Sequence, residues 1–135
     1  MRNIVLILFS LLSLSVYAQN KETKDKQKKV FDSKYILLED MYNDPHFPKK
    51  CVDKVAIQIK HVIAYIEEGG HSKNEIQTKF DKMTIEINKL QTYFEDNGSE
   101  IETVARESIG ETIESILQYF NINIECEEAL RERDW

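Results

Sequence analysis

Residues 72–94 read SKNEIQTKFDKMTIEINKLQTYF, and this stretch decides the fold. Ile76, Phe80, Met83, Ile87, Leu90 and Phe94 recur at steps of 4, 3, 4, 3 and 4. That interval returns every side chain to one face of an α-helix, whereas a half-buried strand alternates at every second residue. Ser72 or Asn74 opens this helix and Asp96-Asn97-Gly98 turns the chain after it. Upstream, Val52, Val55, Ala56, Ile59, Ile63 and Ile66 form a second stripe that begins near Lys49 and stops at Gly69-Gly70, where glycine supplies a left-handed C-cap. Downstream, Ser99 and Glu102 have the spacing of a capping box, and Ile101, Val104, Ala105, Ile109, Ile113, Ile116, Leu117 and Phe120 follow at helical intervals. Gly110 inside that helix predicts close packing of a neighbouring helix. Two shorter helices are expected, one from Ser33 to Tyr42 and one from about Ile124 to Arg131, with Pro45 and Pro48 closing the first. No alternating strand pattern of useful length occurs. The expected fold class is all-α, a small antiparallel bundle of about five helices, three long and two short.

The rest of the composition sets limits on function. The chain has 135 residues, enough for one domain, with 18 Lys+Arg against 24 Asp+Glu and a formal net charge of −6. An acidic balance disfavours nucleic acid as a partner, because phosphate binding needs Lys and Arg clustered on one face. Two cysteines are too few for a disulfide scaffold or a four-cysteine zinc site. No Gly-rich phosphate loop and no Gly-x-Ser-x-Gly elbow is present. No cofactor is expected.

The N-terminus reads as an export signal. Arg2 precedes an apolar run from Ile4 to Tyr17, and Val16-Tyr17-Ala18 places small or aliphatic residues where signal peptidase needs them before Gln19. The run is shorter than the ~20 residues that span a bilayer, so no membrane span is expected after cleavage. The expected organisation is a cleaved signal peptide over residues 1–18, a flexible lead-in over 19–31 and a single helical domain over 32–135. Five lysines and no apolar residue between Gln19 and Lys29 leave that lead-in nothing to bury. The expected location is the bacterial periplasm or the medium.

Charge is unevenly placed along the chain. Residues 19–94 hold 14 basic and 12 acidic side chains, and residues 95–135 hold 3 and 12. Glu100, Glu107, Glu111 and Glu114 gather near one another as an acidic ridge, and Arg106 is placed to meet Asp134 or the carboxylate of Trp135 beside it. Tyr42 and Phe47, on a proline-stiffened loop, are further contact candidates, since aromatics bury much area at low entropic cost; packing at the end of the bundle is their alternative role. In an oxidising envelope Cys51 and Cys126 suggest one bridge, with two separate thiols as the alternative. His46, His61 and His71 are scattered and give no helical metal-ligand pair, so no metal site is expected.

Asp40-Met41-Tyr42, Asp44, Phe47-Pro48-Lys49 and Val52-Asp53-Lys54, then the block Asn97 to Glu107, and finally Arg133-Asp134-Trp135 together resemble the bacterial domain-of-unknown-function family numbered 5713. The resemblance covers about Tyr35 to Trp135 and implies no particular activity. The export signal and the two cysteines depart from that family, which counts against a cytoplasmic role for this chain.

The leading expectation is a non-catalytic, exported module that binds a protein through its acidic surface, which favours a basic partner, in the manner of an inhibitor or immunity protein. The alternative is a small-ligand or metal-binding envelope protein, conceivably an enzyme, with a site near Asp44, His46 and Glu102. A structural component that self-associates is a third reading.

Overall fold

A computed structural model describes residues 28–135. The expected signal peptide and most of the lead-in lie outside the described residues. Within them the chain is all-helical: α1 (Glu39–Asn43), α2 (Lys49–Glu68), α3 (Lys73–Lys89), α4 (Gln91–Asp96), α5 (Thr103–Tyr119) and α6 (Cys126–Ala129). No strand is found among the described residues. α2 and α3 pair across Gly69-Gly70, α5 packs against α1 and α6, and all contribute to one core. Val52, Val55, Ile59, Phe80, Ile87, Phe94, Ile109, Ile113 and Ile116 are fully buried there, so the three predicted stripes face one another.

Among the described residues six helices appear where about five were expected, because the helix read through residues 72–94 divides at Leu90. The Leu90 amide bonds to the Ile87 carbonyl at 2.9 Å, a three-residue turn that tightens the chain, and Phe94 then bonds back to Leu90 at 2.9 Å. The stripe survives the break, since Phe94 remains in the core.

The capping box lies elsewhere than predicted. Gly98, at φ +73°, donates to the Glu95 carbonyl at 3.0 Å, and the Ser99 amide donates to the Phe94 carbonyl at 2.9 Å. These two bonds form a Schellman motif that closes α4, so Ser99 belongs to the end of one helix and not to the start of the next. With its amide engaged, Ser99 offers Glu102 nothing to reach back to. Its hydroxyl is buried without a partner, and α5 starts after Glu102 with no side-chain cap. The same Ser-x-x-Glu spacing works one hairpin earlier. Ser72 Oγ accepts from the Glu75 amide at 3.1 Å, and hydrogen bonds from Ser72 and His71 hold the Glu75 carboxyl below the usual range. A second Schellman turn ends α5, with Asn121 at φ +53° and the Ile122 amide on the Leu117 carbonyl at 2.9 Å.

The predicted helix from Ser33 is reduced to α1. Residues 33–34 and 37–38 are turns, and Leu38 adopts φ +56°, a left-handed conformation that costs a non-glycine residue about 1–3 kcal/mol. Two interactions hold it there: complete burial of its side chain, worth about 1.5–3 kcal/mol, and a bond from its amide to Thr112 Oγ1 at 3.1 Å. The lead-in is also more ordered at its end than expected. Tyr119 donates to the Val30 carbonyl at 2.7 Å, Lys29 donates to the Tyr119 carbonyl, and Phe31 packs on Tyr35, Tyr119 and Phe120 with centroids 5.1–5.9 Å apart.

Two further expectations need correction. The bridge between Cys51 and Cys126 is not formed: both are free thiols. Cys51 is fully buried on the inner face of α2, while the half-buried Cys126 donates to the Gly110 carbonyl at 3.4 Å, and burial pushes both thiols up. Nor is Gly110 a close-packing site, because a Cβ added there meets no neighbouring heavy atom within 4 Å.

The cap assignments are checked by urea denaturation. Ser72→Ala should cost about 1 kcal/mol, whereas Ser99→Ala should be neutral or slightly stabilising because it removes a buried hydroxyl without a partner. Equal losses at the two positions would restore the predicted box at Ser99. Gly110→Ala should raise stability by about 1 kcal/mol, and destabilisation there would mean that a neighbour does crowd the helix.

Candidate functional site

The exposed side of α5 is built by its own periodicity. Ile109, Ile113 and Ile116 turn inward with Ala105, which leaves Glu107, Glu111 and Glu114 outward at intervals of four and three residues. All three glutamates are exposed, and no ion pair among the described residues engages them. Glu114 accepts only from Gln118, at 2.9 Å. Glu100 is exposed as well, but it lies in the loop before α5.

Two acidic residues join this ridge that sequence reasoning missed. Packing of α1 on α5 brings Glu39 and Asp40 beside Glu111 around a depression of about 240 Å³, with Lys34, Tyr35 and Ile36 on its other rim and Ser108 and Thr112 in its wall. The left-handed turn at Leu38 aims α1 at this place, and its anchor, Thr112, belongs to the same wall. The acidity of Glu39 and Asp40 is plain in the sequence; their position beside α5 depends on that tertiary turn.

The other sequence candidates go elsewhere. Arg106 does not meet the C-terminus: its guanidinium donates to Thr103 Oγ1 at 3.1 Å. The tail is instead fastened along α3 and α4. Arg131 makes a two-pronged bond to Asp81 at 3.0 and 2.7 Å, Asn88 donates to the Glu132 carbonyl at 2.7 Å, and Gln91 donates to Asp134 at 2.7 Å. Burial alone would raise the Asp81 carboxyl, but hydrogen bonds from Arg131 and Gln77 outweigh it and hold the group below the usual range. Trp135 packs half-buried against the core with its indole N–H unpartnered, a role in the fold and not on the ridge.

Phe47 is 4% exposed, so it plugs the core beside Phe94 and is no contact residue. Tyr42 is 36% exposed and reaches Asp53 on α2, donating at 2.7 Å, while Lys49 donates to the other carboxylate oxygen at 3.3 Å. Burial, then the hydrogen bond and charge of Asp53, push the Tyr42 phenol up to about 12. Of Asp44, His46 and Glu102, the first two form a turn, in which Asp44 Oδ1 accepts the His46 amide at 2.9 Å and the His46 ring lies edge-on to Phe47, while Glu102 stands immediately before α5. No group of three His, Cys, Asp or Glu side chains is placed to hold a metal among the described residues. No helix among them is long and apolar enough to cross a membrane.

Fold and surface thus define a small all-helical bundle with an uncompensated acidic face. Residues 31–135 match the family described as Family of unknown function (DUF5713), and the chain belongs to it. No curated protein and no solved structure matches the chain.

The Tyr42–Asp53 contact gives a directional test. A phenol raised in the folded state contributes stability that is fully present below its ordinary range and lost as pH rises towards 12. Tyrosinate difference absorbance, with Tyr42→Phe as the reference, should show one phenol ionising last. Asp53→Asn should bring that midpoint down, and an unmoved midpoint would remove Asp53 as a cause.

Proposed function

We propose that this protein is an exported, non-catalytic binding module whose α5 face takes a basic protein partner. The observation that carries the reading is the uncompensated charge on that face. Glu107, Glu111 and Glu114 stand in a row with Glu39 and Asp40 beside them, and no cation among the described residues forms an ion pair with any of the five, Lys34 standing on the other rim of the depression. Like charges held side by side repel, and a basic partner relieves that repulsion on docking. Several carboxylates elsewhere are engaged within the fold, as Asp81 is by Arg131 and Asp53 by Lys49. The ridge carboxylates have no cationic partner of this kind, since Glu114 accepts from the neutral Gln118, which leaves their charge for a partner.

Export follows from the signal-like first eighteen residues, which supports a site of action in the periplasm or outside the cell. An inhibitor or immunity-like role suits the arrangement, because such a protein needs a rigid, pre-formed surface and no chemistry of its own. The depression between α1 and α5 offers space for one side chain of the partner within the acidic rim.

Protein recovered from its own cell envelope should retain a basic protein, and the complex should weaken by at least roughly tenfold between low and high salt. Glu107→Lys together with Glu111→Lys should abolish capture while leaving the helical circular dichroism unchanged. Salt-insensitive capture, or full capture by the double variant, contradicts the reading. A mass beginning at Gln19 supports export, and a retained Met1 in the envelope fraction opposes it.

A further inference from the structure

The side of α2 and α3 turned away from the core carries the opposite charge. Where the two helices meet, Gln58, His61, Lys79, Lys82 and Glu86 rim a groove of about 180 Å³ floored by Val62 and Met83. Lys54 lies one turn before Gln58 on the same face of α2. Two of these lysines are steadied by aromatic faces and not by carboxylates: Lys79 Nζ lies 4.7 Å from the Tyr65 ring and Lys54 Nζ 4.8 Å from the Tyr93 ring. Neither they nor Lys82 nor His61 has an ion-pair partner among the described residues. The one carboxylate at the rim, Glu86, is held by Lys89 at 2.7 Å. Two lysines thus face a single carboxylate around the groove, and that carboxylate is already paired.

Its complement is on the same molecule. α5 buries its inner face in the core that α2 and α3 share, so the glutamates of α5 and the lysines of the α2–α3 groove both point away from that core. Glu111 and Glu114 are three residues apart on α5, and the same interval separates Lys79 from Lys82 on α3. A single helix laid along the groove between two others is the ordinary ridge-into-groove packing of helices.

We propose that the α2–α3 groove is a docking site for the acidic α5 face of a second copy of this chain. The two patches are different surfaces, so the contact is heterologous and repeats from copy to copy instead of pairing one surface with itself. The proposal shares the acidic face with the binding reading but needs no foreign partner. A basic partner on α5 would block one end of such a row, so self-docking and partner capture compete.

The test is sedimentation velocity on the chain from Gln19, at about 20 mM and about 500 mM salt, with two charge-reversed variants of unchanged circular dichroism. The wild type should self-associate at low salt and weaken by at least roughly tenfold at high salt. Lys79→Glu with Lys82→Glu should be monomeric, as should Glu107→Lys with Glu111→Lys. Mixing the two variants should restore association, because each keeps the face the other has lost. A wild type that stays monomeric at low salt, association that persists in either variant, or a mixture that fails to combine each overturns the proposal. An acidic foreign peptide held in the groove by a chain that stays monomeric also overturns it. Capture of a basic protein by a strictly monomeric wild type would sink self-docking alone and leave the binding reading standing.

Discussion

The antiparallel pairing of α2 with α3 is the constraint on which the rest of the structure depends. Gly69 and Gly70, both at φ +75°, make the reversal, and Ser72 caps the helix that leaves it. The pairing buries one face of each helix against α5 and turns the other outward as the cationic groove. It also supplies the rail to which the C-terminus is tied: Asp81, Asn88 and Gln91 all receive the tail. The bond from Arg131 to Asp81 is two-pronged and half-buried, with the Asp81 side chain 18% exposed, a geometry in which a charge pair holds position better than a solvated surface pair.

Much of this fold is legible along the chain because burial on a helix leaves a periodic trace. The stripe from Ile76 to Phe94, the stop at Gly69-Gly70 and the turns around residues 98 and 121 all correspond to real features. What is not legible depends on contacts between distant residues. Ser99 and Glu102 have the spacing of a cap, yet the Ser99 amide is taken by Phe94, so the same letters mean the end of a helix there and the start of one at Ser72. Leu38 carries no sequence mark of a left-handed residue. Its conformation follows from Thr112, 74 positions away.

The candidate site divides in the same way. Glu107, Glu111 and Glu114 are visible from the sequence because their exposure is the complement of the isoleucine stripe. Phe47 and Trp135 are misleading for an equally plain reason: an aromatic residue serves a core and an interface by the same physics, and only its neighbours separate the two. Glu39 and Asp40 join the ridge through the Leu38 turn, which no local pattern announces.

What results is a molecule with segregated charge, acidic on α5 and basic along α2–α3, and with its C-terminus fastened down. The central claim is that the carboxylates of α5 are a working surface and not a solvated face. Carbodiimide labelling of carboxylates in protein taken directly from its own cells, mapped by peptide mass, tests this most directly. The account predicts that Glu107, Glu111 and Glu114 are protected before a high-salt wash and labelled after it, while exposed carboxylates elsewhere, such as Glu68, label equally in both. Equal labelling of the α5 glutamates before and after the wash would contradict it.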